Sequence, residues 1–528
     1  MSTGGRWAVP RSGADDWRPL LLRFPSGLKR VAVEWIPLLV RERRITTLGL
    51  LGVFLALQFL IPARLVISGM GAAGRPSVAI GILLAFLWGL SALRQGGLPA
   101  GRQPIRWIVG LYVLAQLIGY VIGFDRLPSE LEASSADRWL IFTVAMAGVT
   151  LAVADGIRTR AELDRLLQIM VALAALMGLV GILQFLGIVD LTHYIRIPGL
   201  RLNSSLIVVG TRGDTELARV AGTASHYIEF GVVLALVLPV ALHYAFFAAP
   251  GRARRWQWFL AGTIAFAIPL SISRSATLTI AVTFGMLAMI WPWRHKYNAF
   301  VISIVALAAF RVINPGVLGT IRSLFANAEN DPSVQDRIAR TSYVMDLWSL
   351  RPWFGRGAGM VVPETYILLD NQVFVTLLAG GVFGVAVLVV YFFAPYAIGR
   401  SIRLRGRDQE TRHLGHALAV TMPAALLCSG TFDSFSFPTW VGVVSILIGA
   451  TGALWRLDGT SVARPLQMGE RTDRYVGPPL MARPRERIIA AWRDTTARPP
   501  QHRGEPEKAE TEKSETEKAG PDPQTSSA

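Results

Sequence analysis

Apolar residues in this chain come in long unbroken runs rather than in the stripes or alternations of a water-soluble core. Runs able to cross about 30 Å of hydrocarbon fall near 46–62, 77–93, 107–124, 139–155, 167–189, 227–249, 257–272, 275–292, 298–313, 371–397, 417–435 and 439–455. Twelve helical spans are therefore expected. The connections test that count. Arg94, Arg102 and Arg106 follow the second span, and Arg158, Arg160 and Arg165 the fourth. Arg252, Arg254 and Arg255 follow the sixth, Arg294 and Lys296 the eighth, and a cluster from Arg400 to Arg412 the tenth. All these connections share a side with the N-terminus. By the positive-inside rule that side is cytoplasmic, and both termini lie there.

The flanks are polar. Residues 1–45 read as a cytoplasmic segment with a possible interfacial helix near 31–40, and no signal peptide precedes Thr46. Residues 46–456 form the membrane domain. Residues 457–528 are rich in Pro, Glu and Lys and end in a repetitive charged tract, so a disordered cytoplasmic tail is expected.

Composition agrees. The chain is 52% hydrophobic and 17% charged, whereas soluble domains carry about a quarter charged residues. A net charge of +17 would suggest nucleic acid in a soluble protein. Here basic cytoplasmic loops account for it, and no nucleic-acid partner is expected. A single cysteine, Cys428, excludes an intramolecular disulfide and any cysteine metal cluster.

The candidate chemistry lies on the other side. Loops facing outward should be poor in arginine, yet 190–226 holds Arg196, Arg201, Arg212 and Arg219, and 314–370 holds Arg322, Arg337, Arg340, Arg351 and Arg356. Long loops escape the positive-inside rule, so solvated surface charge is the plain alternative for each. Arg274 is different. It sits in Ser271-Ile272-Ser273-Arg274, a break between two apolar runs, where a charge is costly unless it snorkels or meets an anion.

The longer loop predicts its own helix, with Asp331 as N-cap and Pro332 at the first position. Ile338, Val344, Met345, Leu347 and Trp348 give it an apolar stripe suited to the membrane surface, and it should stop before Pro352. Arg337 and Arg340 share a face; Arg340 has Asp336 four residues before it as an alternative partner, while Arg337 has none so obvious. Gly355 and Gly357 allow a tight loop or close approach to a ligand. Asp370-Asn371-Gln372 opens the tenth span, where Asp370 is either a cap or a general base beside the arginines. Gly380, Gly381 and Gly384 allow close helix packing. His226 and Glu229 open the sixth span at similar depth; either could meet a sugar hydroxyl or act as base, and Asp433 is a further possible partner for an arginine. Guanidinium groups bind phosphate bidentately and stay charged. Several converging from separate segments could hold a pyrophosphate and stabilise it as a leaving group without a metal. No acidic cluster suited to magnesium appears in these loops.

Four matches in order now carry a family resemblance: Arg219-Val220-Ala221-Gly222-Thr223; Ser273-Arg274-Ser275-Ala276; Arg337 followed by Pro352 and Gly355-x-Gly357; and Asp370-Asn371 followed by Gly381-x-x-Gly384. Over roughly 200–395 the chain resembles the bacterial O-antigen ligase/O-antigen polymerase superfamily. The resemblance implies an all-α integral membrane protein of C-type glycosyltransferase fold, with a large external loop carrying an amphipathic helix. It implies a metal-independent enzyme without cofactor at the outer face of the cytoplasmic membrane. Its donor would be a polyprenyl-pyrophosphate-linked glycan, and its acceptor a glycan or other hydroxyl, with other polysaccharide-assembly proteins as possible partners. Asp370, Arg274 and Arg337 take the catalytic positions. Arg219, Arg340, Glu229, His226, Asn371, Gly355 and Gly357 make up the substrate-binding set. Asp370 stands where the family has a histidine, and His226-Tyr227-Ile228-Glu229 stands where many relatives have Pro-Asn. Polymerase and ligase need the same donor chemistry and are not separated. A transporter or flippase of an anionic or lipid-linked substrate is the alternative, but the spans contain few buried charges to form a path. An assembly scaffold would leave Arg274 unexplained.

Overall fold

The computed structural model describes residues 46–202, 219–313 and 332–459. The N-terminal segment, the tail beyond Gly459, Arg212, Arg322 and the expected cap Asp331 lie outside the described residues. Nearly everything described is helical. The helices are α1 (Thr47–Leu60), α2 (Pro76–Leu93), α3 (Pro104–Phe124), α4 (Glu130–Gly156), α5 (Arg160–Phe185), α6 (Tyr227–Phe247) and α7 (Arg252–Ala267). Then follow α8 (Arg274–Ile290), α9 (Trp293–Ile313), α10 (Pro332–Ser349), α11 (Gln372–Arg405), α12 (Gln409–Ser429) and α13 (Pro438–Leu457). A two-residue antiparallel pair, β1 (Leu65–Val66) with β2 (Arg201–Leu202), joins the connections after α1 and α5.

A helix covers each of the twelve expected spans, and α10 is the extra helix expected in the 314–370 stretch. Among the described residues, however, only α2–α6, α11 and α13 are long and apolar enough to cross a membrane, seven in all. Helices α1 and α8 are apolar but short. Helices α7, α9 and α12 begin with charged turns such as Arg252–Arg255, Arg294–Lys296 and Glu410–Arg412, so apolar length falls short of helical length.

Local chemistry sets the starts. Pro76, Pro104 and Pro438 occupy first-turn positions, where no N–H is needed. Ser129 and Glu132 form a reciprocal capping box on α4. Thr159 and Asp408 cap α5 and α12. In the core, α6 and α13 are 89% and 83% buried along their apolar windows, against 22% for α2 and α11, so the first two form the centre and the last two lie at the outside. Hydrogen bonds show helix ends meeting at two opposite poles. The end of α4 meets the start of α3 at one, through Arg106 and Asp155 at 2.9 Å. The end of α1 meets the start of α13 at the other, through Gln58 and the Pro438 carbonyl.

Helix α11 is broken. Gly381 has φ 63° and ψ −160° in mid-helix, which strips backbone groups of their i→i−4 partners. The segment 352–357 supplies replacements. Arg356 N–H donates to Leu378 O at 2.7 Å and Gly357 N–H to Ala379 O at 3.0 Å. Val382 N–H donates to Pro352 O at 2.9 Å and Phe383 N–H to Trp353 O at 3.2 Å. The close approach expected at Gly355 and Gly381 is thus made to protein backbone, by a loop and not by a neighbouring helix. Ion pairs hold that loop: Arg126 donates to Arg356 O at 2.7 Å and to Glu132 at 2.6 Å, and Tyr366 bridges Arg356 and Glu132 at 3.0 Å each.

Helix α10 begins at Pro332 as expected. Its apolar stripe differs from the surface-lying expectation: Val344 is fully buried against Leu369 and Leu378, with Tyr343, Leu347 and Trp348 beside it. The stripe packs mainly on α11, leaving Met345 exposed.

A Cβ on Gly381 would lie 2.4 Å from the Trp353 carbonyl, whereas one on Gly380 meets nothing within 4 Å. Gly381→Ala should therefore lower stability by about 2 kcal/mol or more, and Gly380→Ala should be close to neutral. Thermal melts of the two variants in detergent read the difference; equal melting temperatures would exclude the docked-loop account.

Candidate functional site

Segments α6, α8 and α11, which carry candidate residues, meet on the turn Thr431–Phe437 between α12 and α13 and on the first turn of α13. From α8, Ser275 accepts from the Thr431 hydroxyl at 2.8 Å. From α11, Gln372 N–H donates to Phe432 O at 3.2 Å, and its side-chain oxygen accepts from Phe435 N–H at 2.9 Å. From α6, Glu229 Oε1 accepts from Thr439 N–H at 2.7 Å and Trp440 N–H at 3.2 Å. His226 lies 5.8 Å from Phe437, ring to ring. From the start of α2, buried Arg75 donates to Thr439 Oγ1 and Gln58 O, both at 2.9 Å.

Glu229 is fully buried, and its second oxygen accepts from Ser225 N–H and Oγ at 2.7 and 2.6 Å. Both oxygens are thus taken by protein donors. It caps α13, where a carboxylate suits the helix dipole, and its charge is coupled to Arg75. The expected ligand-facing role does not fit that burial. Asn371 has likewise become structural: it, and not Asp370, caps α11, accepting from Val373 N–H at 2.9 Å and Phe374 N–H at 3.3 Å.

The Arg219–Thr223 stretch divides between scaffold and chemistry. Gly222 has φ 57°, and its N–H donates to Gln184 at 2.8 Å. Thr223 binds the end of α1 through Phe59 O at 2.6 Å. Arg219 is left at the site. Its Nη1 donates to Tyr227 Oη at 2.5 Å, its guanidinium lies 4.5 Å from that ring's centre, and its Nε is buried without an acceptor among the described residues. His226 caps α6, its Nδ1 accepting from Ile228 N–H at 3.3 Å. Burial, and then the Arg219 charge, pull its pKa down to about 4.

Arg274 occupies the first position of α8, half-buried, behind the N-cap Ser273. The preceding Ile272 is left-handed at φ 46°. A β-branched residue there stores about 1–3 kcal/mol of strain, so packing and not local preference fixes the break. Arg337 lies on α10, but its side chain is outside the described residues. One turn on, Arg340 donates to Leu368 O and stands 4.0 Å from Asp370, whose side chain is 52% exposed. Arg196 and Arg201 are exposed, and Arg351 forms a loose 3.5 Å pair with Asp125.

Three residues were not singled out from the sequence: Arg75, Gln58 and Gln372. Arg75 could have been found, since it is an arginine directly before a proline-initiated apolar helix. Asp433 was named as an arginine partner, but its charged neighbour is Asp370. Its Oδ1 is shut off from solvent and accepts no hydrogen bond. Burial pushes its pKa up to about 7, against a Ser436 hydrogen bond and with some help from the Asp370 charge. Among the described residues no group of three or more His, Cys, Asp or Glu could hold a metal.

Two measurements follow from these contacts. Glu229→Gln puts an amide before backbone donors and leaves Arg75 without its counter-charge, which should cost on the order of 3 kcal/mol. Arg75→Met in the same chain should recover part of that loss in a denaturant series; strict additivity would mean the two are not coupled. For His226, the unfolded pKa near 6.5 exceeds the folded value of about 4. Between these values the unfolded chain binds more protons, so its contribution to stability is complete above 6.5 and is lost as pH falls towards 4. His226→Asn keeps a cap and should flatten the melting profile in that window.

A search of curated proteins finds no match for the chain. A family model described as O-Antigen ligase matches residues 259–389, a stretch that contains Arg274, the α10 helix, the 352–357 loop, Asp370 and the broken half of α11. The resemblance read from the sequence is thereby borne out over this stretch, which is similar to the O-antigen ligase family.

Proposed function

We propose that the protein transfers glycan from a polyprenyl-pyrophosphate donor to a hydroxyl acceptor at the outer face of the cytoplasmic membrane, in surface polysaccharide assembly. A role of the O-antigen ligase or polymerase type in polysaccharide assembly is what the family match supports. The donor, the location, the twelve-span topology and the residue roles are our reading. The observation that carries it is the gathering of Arg219, Arg274 and the Arg340–Asp370 pair on segments tied to, or packed beside, one turn, with a buried Arg219 Nε still lacking an acceptor among the described residues. A buried guanidinium donor without a partner suits an anionic ligand.

In this reading Arg219 and Arg274 hold the donor pyrophosphate, and Arg337 extends that set from α10. The oxygen of an acceptor hydroxyl attacks the anomeric carbon of the donor sugar. The bond from that carbon to the pyrophosphate oxygen breaks, and its electron pair leaves with polyprenyl pyrophosphate. The hydroxyl proton passes to Asp370, half-exposed at the mouth of α11 and oriented by Arg340. Cationic donors aimed at the leaving group stabilise the charge that develops on it.

The test is reconstitution with a polyprenyl-pyrophosphate oligosaccharide. Release of polyprenyl pyrophosphate with an extended glycan identifies a polymerase, and transfer to a separate acceptor a ligase. Movement of unaltered substrate across the bilayer would favour the transporter alternative and sink the proposal. Arg274→Ala should lower transfer by at least 100-fold, equivalent to about 2.7 kcal/mol of transition-state stabilisation, while membrane insertion survives. Full activity in that variant removes Arg274 from the site.

A further inference from the structure

Between α3, α4, the first half of α11 and the 433–436 turn lies a cavity of about 260 Å³. No step proposed above uses it. Its walls are mixed. Tyr112, Trp139 and Phe435 give it aromatic lining, with Tyr112 and Phe435 stacked at 6.1 Å and Trp139 6.2 Å from Phe435. Gln116, Gln372 and Asp433 present polar atoms. Trp139 donates to Gln116 Oε1 at 2.9 Å, which orients that amide. Gln372 is fixed by Phe435 and Thr376, at 2.9 and 3.2 Å. Asp433 Oδ1 is the exception, since it is buried and accepts nothing.

A ligand that fits these walls needs two properties. It must offer polar groups, because Gln116, Gln372 and Asp433 line the space and a polar wall covered by hydrocarbon loses hydrogen-bond partners. It must also offer C–H faces, because the partial positive charge of ring C–H groups suits the negative face of an aromatic ring. A pyranose has both. The space is large enough to admit one sugar ring with its hydroxyls.

We propose that this cavity is a saccharide subsite that takes a ring of the glycan acceptor and presents its hydroxyl towards Asp370. The subsite rests on the transfer reaction proposed above. The geometry connects them, because Gln372 and Asp433 line the cavity while Gln372 stands two residues after Asp370 at the head of α11.

Gly380 lines the cavity, and a Cβ there meets nothing within 4 Å, so Gly380→Leu starts from open space and occupies the cavity. Ala115→Leu fills it from α3. Gly285→Leu, on α8 outside the cavity and equally open, is the control. The probe is the oligosaccharide freed by mild acid from the polyprenyl-linked pool of the producing cells. Its binding to the full chain in nanodiscs is read by saturation-transfer NMR. Wild type and Gly285→Leu should saturate the ring C–H protons, and both filled variants should lose the signal at least five-fold while melting like wild type. In the transfer assay the filled variants should raise the acceptor KM at least ten-fold and leave donor binding within two-fold. Absence of saturation in wild type, unchanged acceptor KM in both filled variants, or displacement of the oligosaccharide by sugar-free polyprenyl phosphate each overturns the subsite. A wild-type chain that binds the oligosaccharide but transfers nothing from the lipid-linked donor sinks the transfer reaction and leaves the subsite standing.

Discussion

The described fold depends on one buried carboxylate. Glu229 begins the most buried helix, α6, and caps the second most buried, α13, with four protein donors around its two oxygens. A carboxyl group so deep is tolerable only when its oxygens are hydrogen-bonded, and these four donors, two of them at the start of α13, meet that demand. The consequence is positional. Because Glu229 fixes where α13 starts, it fixes the preceding turn. Ser275 from the α8 break, Gln372 from α11 and His226 from α6 then register against that turn. A charge that touches no proposed substrate therefore sets the distances between residues that do.

The family motifs are consequently of two kinds interleaved. Gly222, Thr223, Gly355, Gly381 and Asn371 hold the backbone in place. Arg219 keeps an unused donor, and Asp370 keeps an exposed carboxylate. Spacing alone does not separate these kinds, because a glycine required by a neighbouring strand of chain and one required by a ligand leave the same mark on a sequence.

What was legible follows from the same distinction. The apolar runs and the alternation of basic connections predict where helices fall, because lipid forces every backbone group to be satisfied within its segment. The start of α10 at Pro332 and the break before Arg274 were legible from local chemistry. The apolar length of α7, α9 and α12 was not, since helices continue through charged turns that hydropathy treats as loop. Burial of Glu229 was also hidden. A glutamate at a helix start reads as interfacial until a second helix, two hundred residues away, is known to end on it. The α10 stripe was read correctly but given the wrong neighbour, because amphipathic spacing says that a face is covered and not what covers it.

The break at Gly381 has a bearing on how the chain is built. The break in α11 is closed by four hydrogen bonds with the 352–357 loop, and unsatisfied peptide groups do not persist in hydrocarbon. The two halves of α11 are therefore stable at membrane depth only once that loop has docked. The loop precedes the helix in the chain, so during synthesis it emerges first and is at hand when the break appears. A permuted arrangement, with the loop made after the helix, would leave open peptide groups in lipid while the remaining chain was still being made.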